Sequence, residues 1–525
     1  MTPFMKRLCL LHTIGIFLVG AGFAFPNPTE AIEEAEAVSP ADPMPHDESL
    51  LHDAAHPEVV HHDHADHGHG HGHDDHPLPS MASTVPFVTI LLCIALLPLI
   101  PQTEHWWHKN QNKLLVSTIL AAISIGYYAI RDFGYHGADT GMETVLSVLN
   151  HAILAEYIPF IVLLFSLYTI AGGIQLKGDL RATPATNTAF LAVGAGIASF
   201  VGTTGAAMLL IRPLLQTNAE RQNVKHTVIF FIFLVSNLGG LLTPLGDPPL
   251  FLGYLKGVSF LWTMNLWKEW LFCCVILLIV YYMWDTKLYK AEKPLDRLLD
   301  DTHREPLQLN GKLNFVWLAG VVFAVALLVP GKPFLGKFFV VPPFMREVVQ
   351  LMFVGIAWVT GSKLIRKENK FDFFAIAEVA CLFIGIFICM QAPVEILNIK
   401  GPSLGMDTPT ELFWATGTLS AFLDNAPTYV VFFETARSLP ATAEGMIQLA
   451  GGGSIREDLL IAISLGAVFM GAMTYIGNGP NFMVKAIAEQ SDVKMPSFFG
   501  YMGYSCVFLL PVFALTIVIF FYVLP

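Results

Sequence analysis

From Thr84 to Leu524 the chain is a succession of apolar segments, most of them near the ~20 residues that cross a hydrocarbon core and separated by short loops. That succession restricts the fold severely. Inside a bilayer every backbone N–H and C=O must find its partner within the chain, which leaves helices and closed barrels. With 54% hydrophobic and 14% charged residues, and a mean hydropathy of +0.56, the composition lies outside that of soluble globular domains. Spans are expected over 84–101, 114–131, 155–174, 226–245, 260–284, 313–329, 347–365, 373–393, 459–476 and 499–523. Two further apolar stretches, 186–217 and 410–437, are interrupted by Gly-Thr-Thr-Gly and Asp-Asn-Ala-Pro. They predict re-entrant hairpins, because a broken backbone at membrane depth must line a cavity or be covered by protein. The expected fold class is an all-α polytopic membrane protein of about ten transmembrane helices plus two re-entrant hairpins.

The N-terminal region reads differently. Lys6 and Arg7 precede the apolar run "LCLLHTIGIFLVGAGFA", which ends in small residues; this is the order of a secretory signal, with cleavage expected near Ala24. Residues 25–83 form an acidic, histidine-rich tail. Thirteen Asp or Glu and no Lys or Arg lie between Glu30 and Asp75, and eleven of the eighteen histidines lie between His46 and His76. His61, His62, His64, His67, His69, His71 and His73 could hold Zn2+ or Ni2+ loosely, but their spacing fixes no coordination geometry. With the tail outside, the inner loops carry nineteen Lys or Arg and the outer loops nine, the positive-inside pattern. A bacterial inner-membrane location with an extracytoplasmic tail is the expectation. The cysteines show no CxxC pair and read as packing residues.

The chain repeats itself. A slide of 222 positions lays "LAEYIPFIVLLF" from Leu154 over "IAEVACLFIGIF" from Ile376, and also "ASFVGTTGAAM" from Ala198 over "SAFLDNAPTYV" from Ser420. The same slide lays Glu156 over Glu378 at the start of two apolar spans, where a carboxylate near a helix N-terminus is an ordinary interfacial residue. A second slide, of 231, lays "LLTPLGDPPLFL" from Leu241 over "AMTYIGNGPNFM" from Ala472, so that Thr243 meets Thr474 and Asp247 meets Asn478. The expected first copy, 84–312 with a cytoplasmic linker, enters from outside and the second, 313–525, from inside. Inverted repeats of this kind are an architecture of secondary transporters.

An Asp at the centre of a membrane helix costs ~2.5–3.5 kcal/mol on insertion scales, so a carboxylate kept there is expected to hold a cation or a proton. Low dielectric lets the two compete for one oxygen pair. Asp can instead cap a broken helix, and both readings stand for Asp247 and Asp424. "GGLLTPLGDPPLFLG" from Gly239 and "SAFLDNAPT" from Ser420 together resemble the paired motifs of NhaD-type sodium/proton antiporters and arsenite permeases. These belong to the ion transporter superfamily, which also holds citrate and dicarboxylate carriers. The resemblance spans about 84–525 and implies an ion site formed by two hairpin tips and two broken helices. Carried over, Asp247, Asp424 and Asn425 would handle the ion, with Thr203, Thr204, Thr243, Thr428, Thr474, Asn478 and Asn481 around them. Leu250 departs from the pattern, which usually has Asn after Asp-Pro-Pro, and neither tip carries the Ser-Asn-Thr of dicarboxylate carriers.

The expected function is sodium (or lithium)/proton antiport, with a sodium-coupled citrate or carboxylate carrier as the alternative. Arsenite or divalent-metal transport, or a protein whose metal-binding tail is the function, stand behind these. No nucleophile–base pair points to an enzyme, and no cofactor is expected beyond transported Na+ and H+. The expected partners are small ions or a small anionic substrate and the lipid bilayer, with no nucleic acid; a homodimer is among the assemblies open to it.

Overall fold

The computed structural model describes residues 78–135, 137–302, 305–334, 339–440 and 445–524. The signal, the tail up to residue 77 and its seven candidate metal-binding histidines lie outside the described residues. The described chain is helical almost throughout, with two small antiparallel ribbons. One ribbon pairs β1 (Gln175–Asp179) with β2 (Glu305–Asn310), and the other pairs β3 (Met446–Gln448) with β4 (Ser454–Arg456). The expectation of an all-helical chain had no place for them. They sit in loops, where β1 and β2 fasten the linker to the first half.

Among the described residues, five helices are long and apolar enough to cross a bilayer, or up to seven if each bent pair is one span. They include Asn110–Ile130, Met142–Ala171, Trp262–Ala291 and Phe498–Val523. The expected count of ten is not reached by this measure, because several apolar stretches are broken into shorter helices. The breaks fall where polar residues, Gly and Pro interrupt the apolar pattern, and they build the centre of the molecule. Residues 186–217 become α1 (Pro184–Val201) and α2 (Thr203–Thr217), parted at Gly202, whose φ of 80° suits glycine. The arm α1 is itself long enough to be a span, a departure from the expected hairpin. The expected span 226–245 stops early, at α3 (Lys225–Leu234), and resumes as α4 (Pro248–Leu255).

The second half repeats the scheme. Residues 410–437 become α5 (Pro409–Phe422) and α6 (Asn425–Arg437), and the span expected at 459–476 becomes α7 (Glu457–Met470), followed by α8 (Gly479–Gln490). Pro248, Pro409 and Pro480 stand in first turns, where a missing N–H costs nothing. The packing is paired as well: α1 lies on α3 and α5 on α7, while α4 packs on α6 and α2 on α8. Pairs α4/α6 and α2/α8 therefore join the two halves of the chain.

Away from the centre, a buried ion cluster pins one end of this assembly. Asp285 accepts from Arg221 Nη2 (2.5 Å) and Nη1 (3.1 Å) and from Asn187 Nδ2 (3.2 Å), and lies 2.8 Å from His226 Nε2. Asn187 and Asn218 exchange hydrogen bonds of 2.8 Å. The cluster ties α1, the end of α2, the start of α3 and the helix Trp267–Ala291 together, and its partners satisfy charges that would be costly alone.

The breaks need room as well as polarity. A Cβ on Gly477 would lie 2.6 Å from Gly471 O and 2.8 Å from Ser420 O, and Gly246 meets Gly240 in the same way. Gly477→Ala should therefore destabilise the protein by about 1–3 kcal/mol through overpacking. Gly126→Ala, in open space on the helix Asn110–Ile130, should be neutral or slightly stabilising. Melting curves of the two variants in one detergent check the order; equal midpoints would contradict it.

Candidate functional site

The two broken helices present Asp247 and Asn478 at matching places. Each occupies the cap position before a helix, in extended backbone with φ/ψ of −141°/141° and −152°/140°. The turn before each is held by a threonine. Thr243 Oγ1 donates to Ser199 O and accepts from Leu245 N at 3.2 Å. Thr474 Oγ1 donates to Ala421 O at 2.5 Å and accepts from Ile476 N and Gly477 N at 3.2 and 3.1 Å. Thr243 and Thr474 are related by the 231 offset, and Ser199 and Ala421 by the 222 offset. Their role is to fasten each break to the end of the neighbouring hairpin arm.

Asp247 is 1% exposed and is the centre of the site. Its Oδ2 accepts from Asn425 Nδ2 at 2.7 Å, and its Oδ1 accepts from Asn478 Nδ2 at 3.0 Å and Thr203 Oγ1 at 3.3 Å. Thr203 N also donates to Gly246 O at 2.9 Å. These partners have one feature in common. Asp247 and Asn478 precede the first residues of α4 and α8, while Thr203 and Asn425 are the first residues of α2 and α6. Four helix N-termini, each with a partial positive charge, thus meet at one carboxylate.

Beside this carboxylate runs a chain of amides. Asn478 Nδ2 is 3.2 Å from Asn237 Oδ1, and Asn237 Nδ2 donates to Asn481 Oδ1 at 2.7 Å. Asn481 Nδ2 donates to Gly471 O (2.8 Å) and Thr474 O (2.9 Å), bracing the break. Leu250, the counterpart of Asn481, is buried and supplies no such brace. Asn237 was not among the expected residues, although a lone Asn after the apolar run of α3 was a visible signal. Two buried oxygens here, Asn425 Oδ1 and Ser236 Oγ, have no hydrogen-bond partner among the described residues.

Asp424 stands apart from this cluster. Its Oδ1 accepts from Ala426 N at 3.1 Å, capping its own helix α6, and the residue is partly exposed. Thr428 Oγ1 donates to Asp424 O at 3.0 Å, within the same first turn. Thr204 is half-buried in the first turn of α2. Of the residues expected to form one site, Asp247, Asn425, Thr203 and Asn478 touch; Asn481 joins through Asn237; Thr243 and Thr474 hold the frame; Asp424, Thr428 and Thr204 lie beside it.

The two glutamates related by the 222 offset part company. Glu378 pairs with Lys113 at 2.6 Å and is partly exposed, in keeping with an interfacial carboxylate. Glu156 is buried, 3.0 Å from Lys256 Nζ, and accepts from Gln391 Nε2 at 2.9 Å.

The family model described as "Putative citrate transport" matches residues 76–521. No curated protein matches the chain. The match names the citrate side of the superfamily that the paired motifs resemble, and not the antiporter or arsenite side. Matched over residues 76–521, and helical with several helices able to cross a bilayer, the chain belongs to this transporter family.

Proposed function

We propose that the protein is a cation-coupled carrier of citrate or a related small carboxylate, working through inverted repeats, with Asp247 as the coupling residue. The observation that carries this reading is the meeting of four helix N-termini at the Asp247 carboxylate. Such a meeting point favours negative charge, and in transporters broken-helix N-termini face anionic groups of the substrate. In the present conformation the Asp247 carboxyl itself occupies that point, held by Asn425, Asn478 and Thr203. A substrate carboxylate entering beside it would repel an ionised Asp247 in a low-dielectric site. Binding is eased once a proton or Na+ neutralises Asp247, so cation and carboxylate enter together. The absence of a Ser-Asn-Thr tip weighs less than the sequence suggested, because Asn425, Asn478 and Thr203 bring side-chain donors to the same point and Asp424 is engaged in capping.

Sodium/proton antiport remains the second reading, favoured by a specific feature. Asn425 Oδ1 and Ser236 Oγ are buried acceptors without hydrogen bonds among the described residues, and such oxygens near a carboxylate suit a cation. Reconstituted protein in liposomes separates the two. The carrier reading expects labelled citrate uptake driven by an inward Na+ or H+ gradient. Sodium-triggered proton flux with no uptake of citrate or other small carboxylates would overturn it in favour of antiport.

The residue ranking gives a second test. Asp247→Asn keeps the shape but loses the charge, and should lower gradient-driven uptake at least tenfold, given ~1.5–3 kcal/mol for a charged hydrogen bond. Asp424→Asn should retain most of its activity, because Asn caps a helix about as well as Asp. Initial uptake rates at matched protein amounts check the ranking. The reverse order would move the coupling role to Asp424.

A further inference from the structure

Helices α4 and α6 leave the Asp247 cluster side by side and pack along their length, with Tyr429 of α6 against Gly253 of α4. They are tied at both ends. The first tie is Asn425 Nδ2 to Asp247 Oδ2 at 2.7 Å. The second is Lys256 Nζ to Glu434 Oε1 at 2.8 Å. Lys256 and Glu434 each lie nine residues beyond the first tie, roughly 13 Å along a helix at 1.5 Å per residue.

Lys256 also reaches Glu156 Oε1 at 3.0 Å. Glu156 lies on a π-helical segment, Asn150–Tyr157, a distortion that frequently marks functional positions. Arg437 Nε lies 3.2 Å from Glu434 Oε2, and its side chain is 36% exposed. A cavity of about 200 Å³ opens here, walled by His151, Glu156, Leu252, Leu255, Lys256 and Arg437. By the positive-inside pattern of the loops, this side is expected to face outside.

We propose that this cavity is where a substrate carboxylate first binds on its way in, and that Lys256 exchanges its glutamate partners for the incoming group. The proposal rests on the carboxylate-carrier reading. An ammonium on a flexible stem can turn from one carboxylate to another without loss of charge pairing. Neither glutamate is left without a partner when Lys256 turns away, because Glu156 keeps its hydrogen bond from Gln391 (2.9 Å) and Glu434 keeps the charge of Arg437 at 3.2 Å, an ion pair without hydrogen-bond geometry. The exchange would release the far tie between α4 and α6 and so loosen the two helices that end at Asp247. On the matching pair, α2 and α8, the positions nine residues beyond Thr203 and Asn478 are Arg212 and Ile487, and no such ion pair is possible. The arrangement therefore belongs to one side of the molecule and is not a requirement of the helix pairing.

The test uses the full chain reconstituted in liposomes, with concentration-dependent uptake of labelled citrate for wild type, Lys256→Gln, Lys256→Arg and Arg437→Gln. Lys256→Gln should raise KM roughly tenfold, as expected for one lost charge-assisted contact, with Vmax within about twofold; Lys256→Arg should restore most of the affinity. A purely structural latch would lower Vmax and leave KM in place, and that result overturns the proposal, as does an unchanged KM in Lys256→Gln. If Lys256→Gln fails to insert, Arg437→Gln, at a partly exposed position, carries the decision: a raised KM supports the site and an unchanged one overturns it. Wild type that moves no carboxylate defeats the carrier reading and this inference together. Citrate uptake insensitive to both variants defeats this inference alone.

Discussion

The structure depends on a carboxylate held where four helices begin. A membrane helix that stops in mid-protein exposes N–H groups that lipid cannot satisfy, and one such end would be a defect. Four ends brought together become a polar centre. At that centre the Asp247 carboxylate accepts from the side chains of Asn425, Asn478 and Thr203, one from each of the other three helix starts. Two of the four helix starts come from each half of the chain, so the halves meet at one point.

Holding that point requires rigid surroundings. Thr243 and Thr474 fasten the two breaks to hairpin arms, and Gly246 and Gly477 let backbone meet backbone where any side chain would intrude. The cluster around Asp285 fixes the far ends of α1, α2 and α3 by a bidentate arginine and two asparagines. The opposite end, at Lys256, is built differently. There a single flexible ammonium bridges two glutamates that each have another partner. One end is thus braced by a multidentate cluster and the other by one ammonium between two carboxylates.

The two sequence offsets extend beyond alignment into contacts. Thr243 with Ser199 and Thr474 with Ala421 make the same bond, and Asp247 and Asn478 share one backbone conformation. The copies are not identical in chemistry. A carboxylate in one meets an amide in the other, and Leu250 stands where the second copy has the bracing Asn481. The site is thus chemically asymmetric although the two breaks share one backbone conformation.

Much of this was legible in the sequence: the apolar segments, the places where they break, and the paired motifs that supply Asp247, Asn425 and Asn478. Those features are local, set by hydropathy and by residues that cannot continue a helix. The small ribbons, the early end of α3 and the long arm α1 were not legible, because packing overrides the period of an apolar run. Sequence also left Asp247 and Asp424 equal, since each precedes a helix start and each can cap or bind. Tertiary structure separated them: Asp247 meets Asn425 across 178 positions and Asn478 across 231, whereas Asp424 meets Ala426, two residues away. Likewise Glu156 is an ordinary interfacial charge by sequence until Lys256, 100 positions on, is placed against it. What a side chain can do is written in its type; which partner it reaches is decided only when distant segments pack.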